Sequence, residues 1–483
     1  MEYPILVLYF IALSLLGLFG IHKLFLLYLL RRYHTSSPRE PQIPGQWPHV
    51  TVQLPIYNER YVLKRLIRSV ANLDYPRSRL TIQVLDDSTD CTTKLARRLT
   101  RVMRRNGFSI QHIYRTNRVG FKAGALENGM SYSSADYLAV FDADFIPDRG
   151  FLKDVVPYLL MDGIGMVQTR WGHINREDTF LTRLQAIFLD GHFMIEHPAR
   201  FLSGRFFNFN GTAGMWRRKA IEDAGGWQHD TLTEDLDLSY RAQLSGWGFI
   251  YLPDVVAPAE LPTDIHAYKS QQHRWAKGSV QTAIKLIPRI MASPIPFKVR
   301  LEAAIHLLAN IGWLLMAIPA FLLIPTLKYQ FDHNLRWPII LYLAVFLTAS
   351  VSVFIYYGVS IRKSLGRLWP HVLYIPLLMA MGIGLSLNNG RAVVEGLIGR
   401  KSDFIRTPKL NVWRSKRYQM RKRYFSQRNP LTVLEFFLGL YFAAGMGYFL
   451  MHGVILSVPY FVLFQIGFFY LSVGSFRELR RSR

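Results

Sequence analysis

The sequence predicts an α/β domain, built on a doubly wound parallel sheet and held between the helices of a polytopic membrane protein. Three observations carry that prediction. Half of the 483 residues are hydrophobic and only 19% are charged. The apolar residues gather at the N-terminus and beyond residue 300, which leaves about 250 residues between for one large globular domain. Within that middle, short apolar strands alternate with helical segments, the pattern of parallel strands joined by crossover helices. Two of the strands end in acidic clusters, which puts several carboxylates on one rim of the sheet, where open α/β sheets bind ligands.

Taken in order, residues 1–32 hold a long apolar run broken mainly by His22 and Lys23 and closed by Arg31 and Arg32. It is too long for the apolar core of a signal peptide and reads as an uncleaved transmembrane helix with its C-terminal end in the cytoplasm. Residues 33–48 form a Pro- and Ser-rich linker, and the domain is expected over 49–280. Its first strand, 49–54, runs into Pro55-Ile56-Tyr57-Asn58-Glu59, and Val62, Leu66, Ile67 and Val70 then follow at helical spacing. A second strand at 80–85 ends in Asp86-Asp87-Ser88-Thr89-Asp90, a basic helix covers 92–105, a third strand 109–114, and a helix starts after Gly120-Phe121-Lys122-Ala123-Gly124.

The fourth strand leads through Leu138, Ala139, Val140 and Phe141 to Asp142 and Asp144. Strand alternation would give both carboxylates one face. Acids held that close favour a cation between them, and their hard oxygens suit Mg²⁺ or Mn²⁺ with places left for phosphate oxygens. On its own such a pair is as readily a turn capping the next helix. Further on come a helix from Asn175 to about Pro198, a Gly/Asn/Phe loop at 206–214, a helical start at Thr233-Glu234-Asp235, and an amphipathic segment with Gln271, Arg274 and Trp275. Residues 281–300 are expected to lie along the membrane interface.

Membrane spans are expected at 303–324, 338–360, 371–387, 433–451 and 454–473, with a basic tail at 477–483. The segment 399–430 is strongly basic and belongs in the cytoplasm. If it and the domain share one side, 371–387 cannot be a simple crossing. Its Pro376, Gly382 and Gly384 suggest a broken or shallow helix continuing along the interface to about Gly399. The net charge of +25 fits cytoplasmic loops beside anionic lipid. The single cysteine, Cys91, excludes an intrachain disulfide and a Cys-based zinc site.

Together the acid cluster, the DxD, the TED triplet and the QxxRW element resemble the processive family 2 glycosyltransferases of the cellulose synthase and hyaluronan synthase superfamily. Within it, the phrases QVLDDSTD, GFKAGAL, FDADF, FNGTAGMWR, EDAGGW and QQHRW are most similar to the cellulose synthase-like A group, the mannan and glucomannan synthases, and its bacterial relatives. The resemblance runs from about residue 48 to 279. It implies a Rossmann-like GT-A fold and an inverting hexosyltransferase that extends a β-linked polysaccharide from GDP-mannose or UDP-glucose with Mg²⁺ or Mn²⁺.

Residue by residue, it implies that Pro55, Tyr57, Glu59, Asp86 or Asp87, Lys122 and Asp142 surround the nucleotide. Asp142 and Asp144 hold the metal-bound diphosphate, and Asp235, with Glu234 and Thr233 beside it, is the catalytic base. Gln271, Arg274 and Trp275 form the acceptor and diphosphate platform. Phe404, Thr407 and Lys409 resemble a gating loop over the nucleotide, with Arg406 where valine is usual. The expected setting is a bacterial inner membrane or an equivalent, catalytic domain inward, with a glycan or lipid acceptor and no nucleic acid; the oligomeric state is not readable.

Two other readings stand beside this one. An enzyme adding a single sugar to a membrane lipid, like the ceramide glucosyltransferases, shares the donor chemistry. A basic membrane protein binding anionic lipid or nucleic acid explains the charge but makes the acid clusters accidental. Taken alone, TED reads more readily as a helix N-cap, and Trp275 as packing beside the membrane.

Overall fold

The computed structural model describes residues 2–35, 40–400, 407, 409, 411 and 431–482. The expected N-terminal helix, α1, spans Glu2–Arg32. Then follow β1 (Val50–Ile56), α2 (Leu63–Ala71), β2 (Leu80–Asp86), α3 (Thr92–Arg105), β3 (Ile110–Tyr114), α4 (Phe121–Ser131), β4 (Tyr137–Val140) and α5 (Phe151–Leu159). The second half of the domain comprises β5 (Ile164–His173), α6 (Phe180–Gly191), α7 (His197–Leu202), β6 (Gly214–Arg217), α8 (Arg218–Asp223), α9 (Glu234–Leu244) and β7 (Gly248–Ala259). Helices α10 (Ile265–Ala292), α11 (Phe297–Leu308), α12 (Ile311–Asp332), α13 (Arg336–Leu365), α14 (Tyr374–Leu397), α15 (Leu431–Met451) and α16 (Val458–Ser482) complete the described chain.

The seven strands form one sheet in the order β3-β2-β1-β4-β6-β5-β7. The first four are parallel, but β6 runs antiparallel to both β4 and β5. The sheet is therefore mixed, a correction to the wholly parallel sheet expected. Strands β5, β6 and β7 are not among the strands the sequence predicts. The four residues of β6 are too few to show a period, and β7 carries two prolines that argue against a strand. Strand order reverses between β1 and β4, and the crevice at the carboxyl ends there is where such sheets take ligands. Valines and leucines of β1 and β2 are wholly buried between α2 and α5 on one side and α4 on the other.

Six described helices are long and apolar enough to cross a membrane, among them Pro4–Arg32, Ile311–Asp332 and Leu431–Met451. The span expected at 303–324 is divided. Residues up to Leu308 belong to α11, whose Ala303 and Leu307 pack on Leu286 and Ile290 of α10. The interface helix expected from 281 is the second half of α10. Helix α14 is continuous, so the break expected at its glycines is absent. Gly384 serves close packing instead: a Cβ there would stand 2.4 Å from the Gly467 carbonyl oxygen of α16, whereas one on Gly382 would meet only Trp313 of α12, at 4.0 Å. Pro376 falls in its first turn, where a missing N–H costs nothing. Both ends of α14 meet the domain. Tyr374 accepts a 3.1 Å bond from Arg183 of α6, and Glu395 lies 3.4 Å from His273 and 3.3 Å from Lys277 of α10.

Helix α10 ties sheet to bundle. Lys269 pairs with Glu435 of α15 in a fully buried contact. Its first turn is capped twice: Asp264 accepts from Ala267 N (2.7 Å), while Glu478, near the end of α16, accepts from Ile265 N (2.7 Å) and His266 N (3.2 Å). These satisfy backbone donors that a helix start leaves open.

Candidate active site

Segments from the whole domain meet in one cavity at the reversal point. It is lined by Pro55 at the end of β1, Tyr57 and Glu59 after it, Asp87 after β2, Lys122 on α4, and Asp142 and Asp144 after β4. Thr233, Glu234 and Asp235 enter from the start of α9, Gln271, Arg274 and Trp275 from α10, and Thr407 and Lys409 from the segment before α15. Asp86 does not reach it. That carboxylate is fully buried behind the wall, bonded to His112 Nε2 (2.8 Å) and Ser88 N (2.9 Å), and these bonds keep it ionised at lower pH than usual against the cost of burial. Of the two candidate acids only Asp87 faces the cavity, gripped by the Arg115 guanidinium, whose Nε donates at 2.8 Å. Phe404 lies outside the described residues.

The loops are pinned before any ligand arrives. Asn58, in the left-handed conformation at φ 57°, accepts from Thr89 N (2.9 Å) and Asp90 N (3.2 Å), locking the loop after β1 to the loop after β2. Strand β4 ends at Val140, so Asp142 and Asp144 stand in the following turn and owe their common cavity to that turn, not to strand alternation. Asp142 N donates to Thr212 Oγ1 (2.9 Å), and Lys122 Nζ donates to Asp142 Oδ1 (2.6 Å) and the Gly211 carbonyl (2.8 Å). Asp144 is buried, its Oδ2 accepting from Glu260 N (3.1 Å) and Lys409 Nζ (2.7 Å).

The TED triplet opens α9 without a side-chain cap; Thr233 Oγ1 lies 3.2 Å from Thr282 Oγ1 of α10 instead. Glu234 and Asp235 therefore sit in a first helical turn, where the helix dipole favours negative charge. Helix α10 comes this close because residue 278 is glycine: a Cβ there would stand 2.6 Å from Thr233 Cγ2. Gly211 is equally constrained, at φ +79° with Asp235 Oδ2 2.9 Å from where its Cβ would be.

Electrostatics follow from four charges crowded out of water. Removal from solvent, reinforced by neighbouring Glu234, pushes the Asp235 carboxyl up to about 7, and Glu234 is raised chiefly by burial. For Lys122, burial alone would favour the neutral amine, but Asp142, Glu234 and Asp235 together hold it charged above its usual range. Burial lowers Arg274, and Glu234, Asp142 and Asp235 partly offset it. A carboxylate that titrates near neutrality beside an arginine is suited to general base catalysis.

The Asp142 and Asp144 carboxylates offer two hard oxygen donors on one cavity, and no cluster of three or more His, Cys, Asp or Glu suited to a metal occurs among the described residues. Two carboxylates fit Mg²⁺ or Mn²⁺, which commonly take one or two from protein and the rest from phosphate and water.

Several lining residues escaped the sequence reading. The Arg118 guanidinium stacks 3.4 Å from the Tyr57 ring centroid and 5.0 Å from that of Phe121, a flat cationic and aromatic wall. Asn210 lines the cavity between His192 and His197, its Nδ2 2.9 Å from His192 Nε2. Glu260, after β7, accepts 2.7 Å from Arg65 Nη1. Only the adjacency of Arg118 to GFKAG and the place of Asn210 within the FNG phrase could have drawn attention to two of these.

A family profile described as "Glycosyltransferase like family 2" matches residues 48–278. Glucomannan 4-beta-mannosyltransferase 1 of Cyamopsis tetragonoloba is 34% identical over 452 residues, covering 89% of this chain and 82% of the relative. Glucomannan 4-beta-mannosyltransferase 2 of Arabidopsis thaliana is 33% identical over 456 residues, 89% and 81% of the two chains. Among solved structures, the mannosyltransferase PcManGT from Pyrobaculum calidifontis, in complex with GDP-Man and Mn²⁺, superposes with a TM-score of 0.51 at 20% identity. It covers 80% of this chain and all of that one, a likeness of fold.

Proposed function

The chain belongs to the glucomannan 4-beta-mannosyltransferase family and is an integral membrane hexosyltransferase, and from that premise we propose that it transfers mannose from GDP-mannose to the end of a growing β-linked glycan. The observation that carries this reading is the convergence of Asp142, Asp144, Asp235, Arg274 and Trp275 on one cavity from three separate segments.

The steps follow from the residues. Asp235 takes the proton of the acceptor hydroxyl, whose oxygen attacks the anomeric carbon as the bond to the diphosphate breaks. GDP leaves with the bonding pair. A single displacement inverts the centre, so an α-linked donor gives a β-linkage. Arg274 and Lys122 face the growing negative charge of the diphosphate, in a recess where water does not weaken them. Asp142 and Asp144 would hold a divalent cation, which supplies Lewis-acid neutralisation of the leaving phosphates. Asp87 and the Tyr57–Arg118 wall line the part of the cavity suited to ribose and base. Trp275 offers an aromatic face to the acceptor ring. Thr407 and Lys409 cover the donor.

A cytoplasmic catalytic layer is supported by basic residues at helix ends. Arg31 and Arg32 close α1, and Arg362 and Lys363 close α13. The test is a nucleotide-sugar panel on purified protein with Mg²⁺ and Mn²⁺, reading released nucleotide and product linkage together. GDP-mannose giving a β-linked polymer is expected. A product of one sugar on lipid would end the polymer reading, and no turnover of any nucleotide sugar would end the transferase reading for these residues.

A further inference from the structure

We infer that Arg65, Glu260 and Asn411 form a clasp that docks the segment bearing Thr407 and Lys409 across the cavity, which makes Arg65 and Glu260 positioning residues for donor binding. The three come from distant parts of the chain, and none belongs to the carboxylate clusters or the QxxRW element. Arg65 lies on α2. Its Nη1 donates to Glu260 Oε1 (2.7 Å) and Asn411 Oδ1 (2.8 Å), and its Nη2 to the Asp144 carbonyl (3.1 Å). The second Glu260 oxygen accepts from Asn411 N (3.1 Å).

Asn411 is therefore held at both its backbone donor and its side-chain acceptor by one ion pair. That pair is itself well shielded, with side-chain exposures of 13% for Arg65 and 2% for Glu260. The planar guanidinium fixes its donors in set directions, which lets one arginine reach the Glu260 carboxylate, Asn411 Oδ1 and the Asp144 carbonyl together. Asn411 adopts φ 55°, a left-handed turn that asparagine accepts more easily than most residues.

The consequence is felt two and four residues earlier. Lys409 Nζ meets Asp144 Oδ2 (2.7 Å) and the Glu260 carbonyl (3.1 Å), and Thr407 is buried on the cavity wall. Glu260 thus contacts the segment three times: once through its own carbonyl, once through Asn411 N, and once through the arginine it orients. The connection between α14 and α15 is long, and closing a long connection onto a fixed point carries an entropic cost that these contacts must offset. Arg65 also holds the carbonyl of Asp144, so the docked segment and a carboxylate of the proposed cation site share one support.

The KM arm of the test rests on the reading of this segment as a cover for the donor; the cleavage arm does not. Asn411→Gly keeps the left-handed turn and the Arg65–Glu260 pair while removing the side chain whose carbonyl Arg65 reads. In the full-length protein it is expected to raise trypsin cleavage after Lys409 about tenfold, the effect of losing one hydrogen bond to a charged group. With GDP-mannose and Mn²⁺ it is expected to raise the donor KM by about the same factor, with kcat changed less than KM. Arg65→Gln should do likewise, and the double variant should be no worse than either alone, whereas Arg65→Lys should recover little. Unchanged cleavage in Asn411→Gly, or effects of the two substitutions that multiply, overturns the clasp. Faster cleavage with an unchanged KM would keep the docking and refute its role in donor binding. Faster cleavage in a protein that turns over no GDP-mannose would keep the clasp and count against the donor.

Discussion

Replacing Lys122 by glutamine tests the electrostatic account of the base most directly. The ammonium lies among Asp142, Glu234 and Asp235 and is the cation that Asp235 feels most. Lys122 Nζ and Asp235 Oδ2 stand 3.3 Å and 2.9 Å from one point, the place a Cβ on Gly211 would occupy, so they are at most about 6 Å apart. At an effective dielectric of about 20, unit charges at that separation attract by about 3 kcal/mol, and one pKa unit corresponds to about 1.4 kcal/mol. Removing the charge should therefore raise the Asp235 carboxyl by about one to two units above the value near 7 that it holds with Lys122 present.

The sign is fixed by the role. A base must be ionised to accept a proton, so kcat/KM rises with pH through the pKa of the free enzyme and then levels. In Lys122→Gln that limb should move to higher pH. The part of the loss at pH 6.5 that comes from protonated Asp235 should be regained by pH 9, above a pH-independent deficit from the charge missing at the diphosphate, whereas Lys122→Arg should leave the limb near its original place. The assay is GDP release across pH 5.5–9.5, with thermal melting to establish that the variant folds. A folded Lys122→Gln protein whose limb has not moved would refute the coupling of Lys122 to Asp235.

Four further outcomes are expected. Asp235→Asn should lower kcat about 10²- to 10⁴-fold, the usual contribution of a general base, with the donor KM little changed; near wild-type turnover would remove Asp235 from the mechanism. Gly211→Ala forces a methyl group against Asp235 in a backbone conformation at φ +79°. It should cost kcat at least about tenfold, checked by the same release assay. Chelation with EDTA should abolish turnover and Mn²⁺ restore it, and Asp142→Asn should raise the Mn²⁺ concentration needed for half-maximal rate. Glu435→Leu leaves Lys269 buried without its partner and should destabilise the bundle by about 3–5 kcal/mol. Pairing it with Lys269→Met should restore much of the melting temperature in detergent.

How far the sequence speaks depends on what kind of signal a residue leaves. β1, β2, β3 and β4 were legible because each is a short segment rich in β-branched, aromatic or aliphatic residues bounded by polar turns, and β1, β2 and β4 deliver residues to one cleft as their positions imply. β7 was not, since Pro253 and Pro258 lie within it, and β6 is held in the sheet by pairing on both sides more than by its own propensity. Asp86 and Asp87 look alike in a string of letters; only the positions of His112 and Arg115 on and after β3 decide which is structural wiring and which faces the cleft. Gly384 reads as a helix breaker because its packing partner on α16, Gly467, lies about 80 residues further along the chain. Arg65, Glu260 and Asn411 carry no local pattern at all, since what they have in common exists only after folding.

Glu478 lies five residues from the end of the sequence, yet it caps the helix that carries Arg274 and Trp275. A deletion or a fused tag that disturbs the last turn of α16 would therefore loosen the start of α10, more than two hundred residues upstream. Affinity handles for purification belong at the other terminus, and loss of turnover after trimming the final helix would report on that remote junction even with the cleft residues intact.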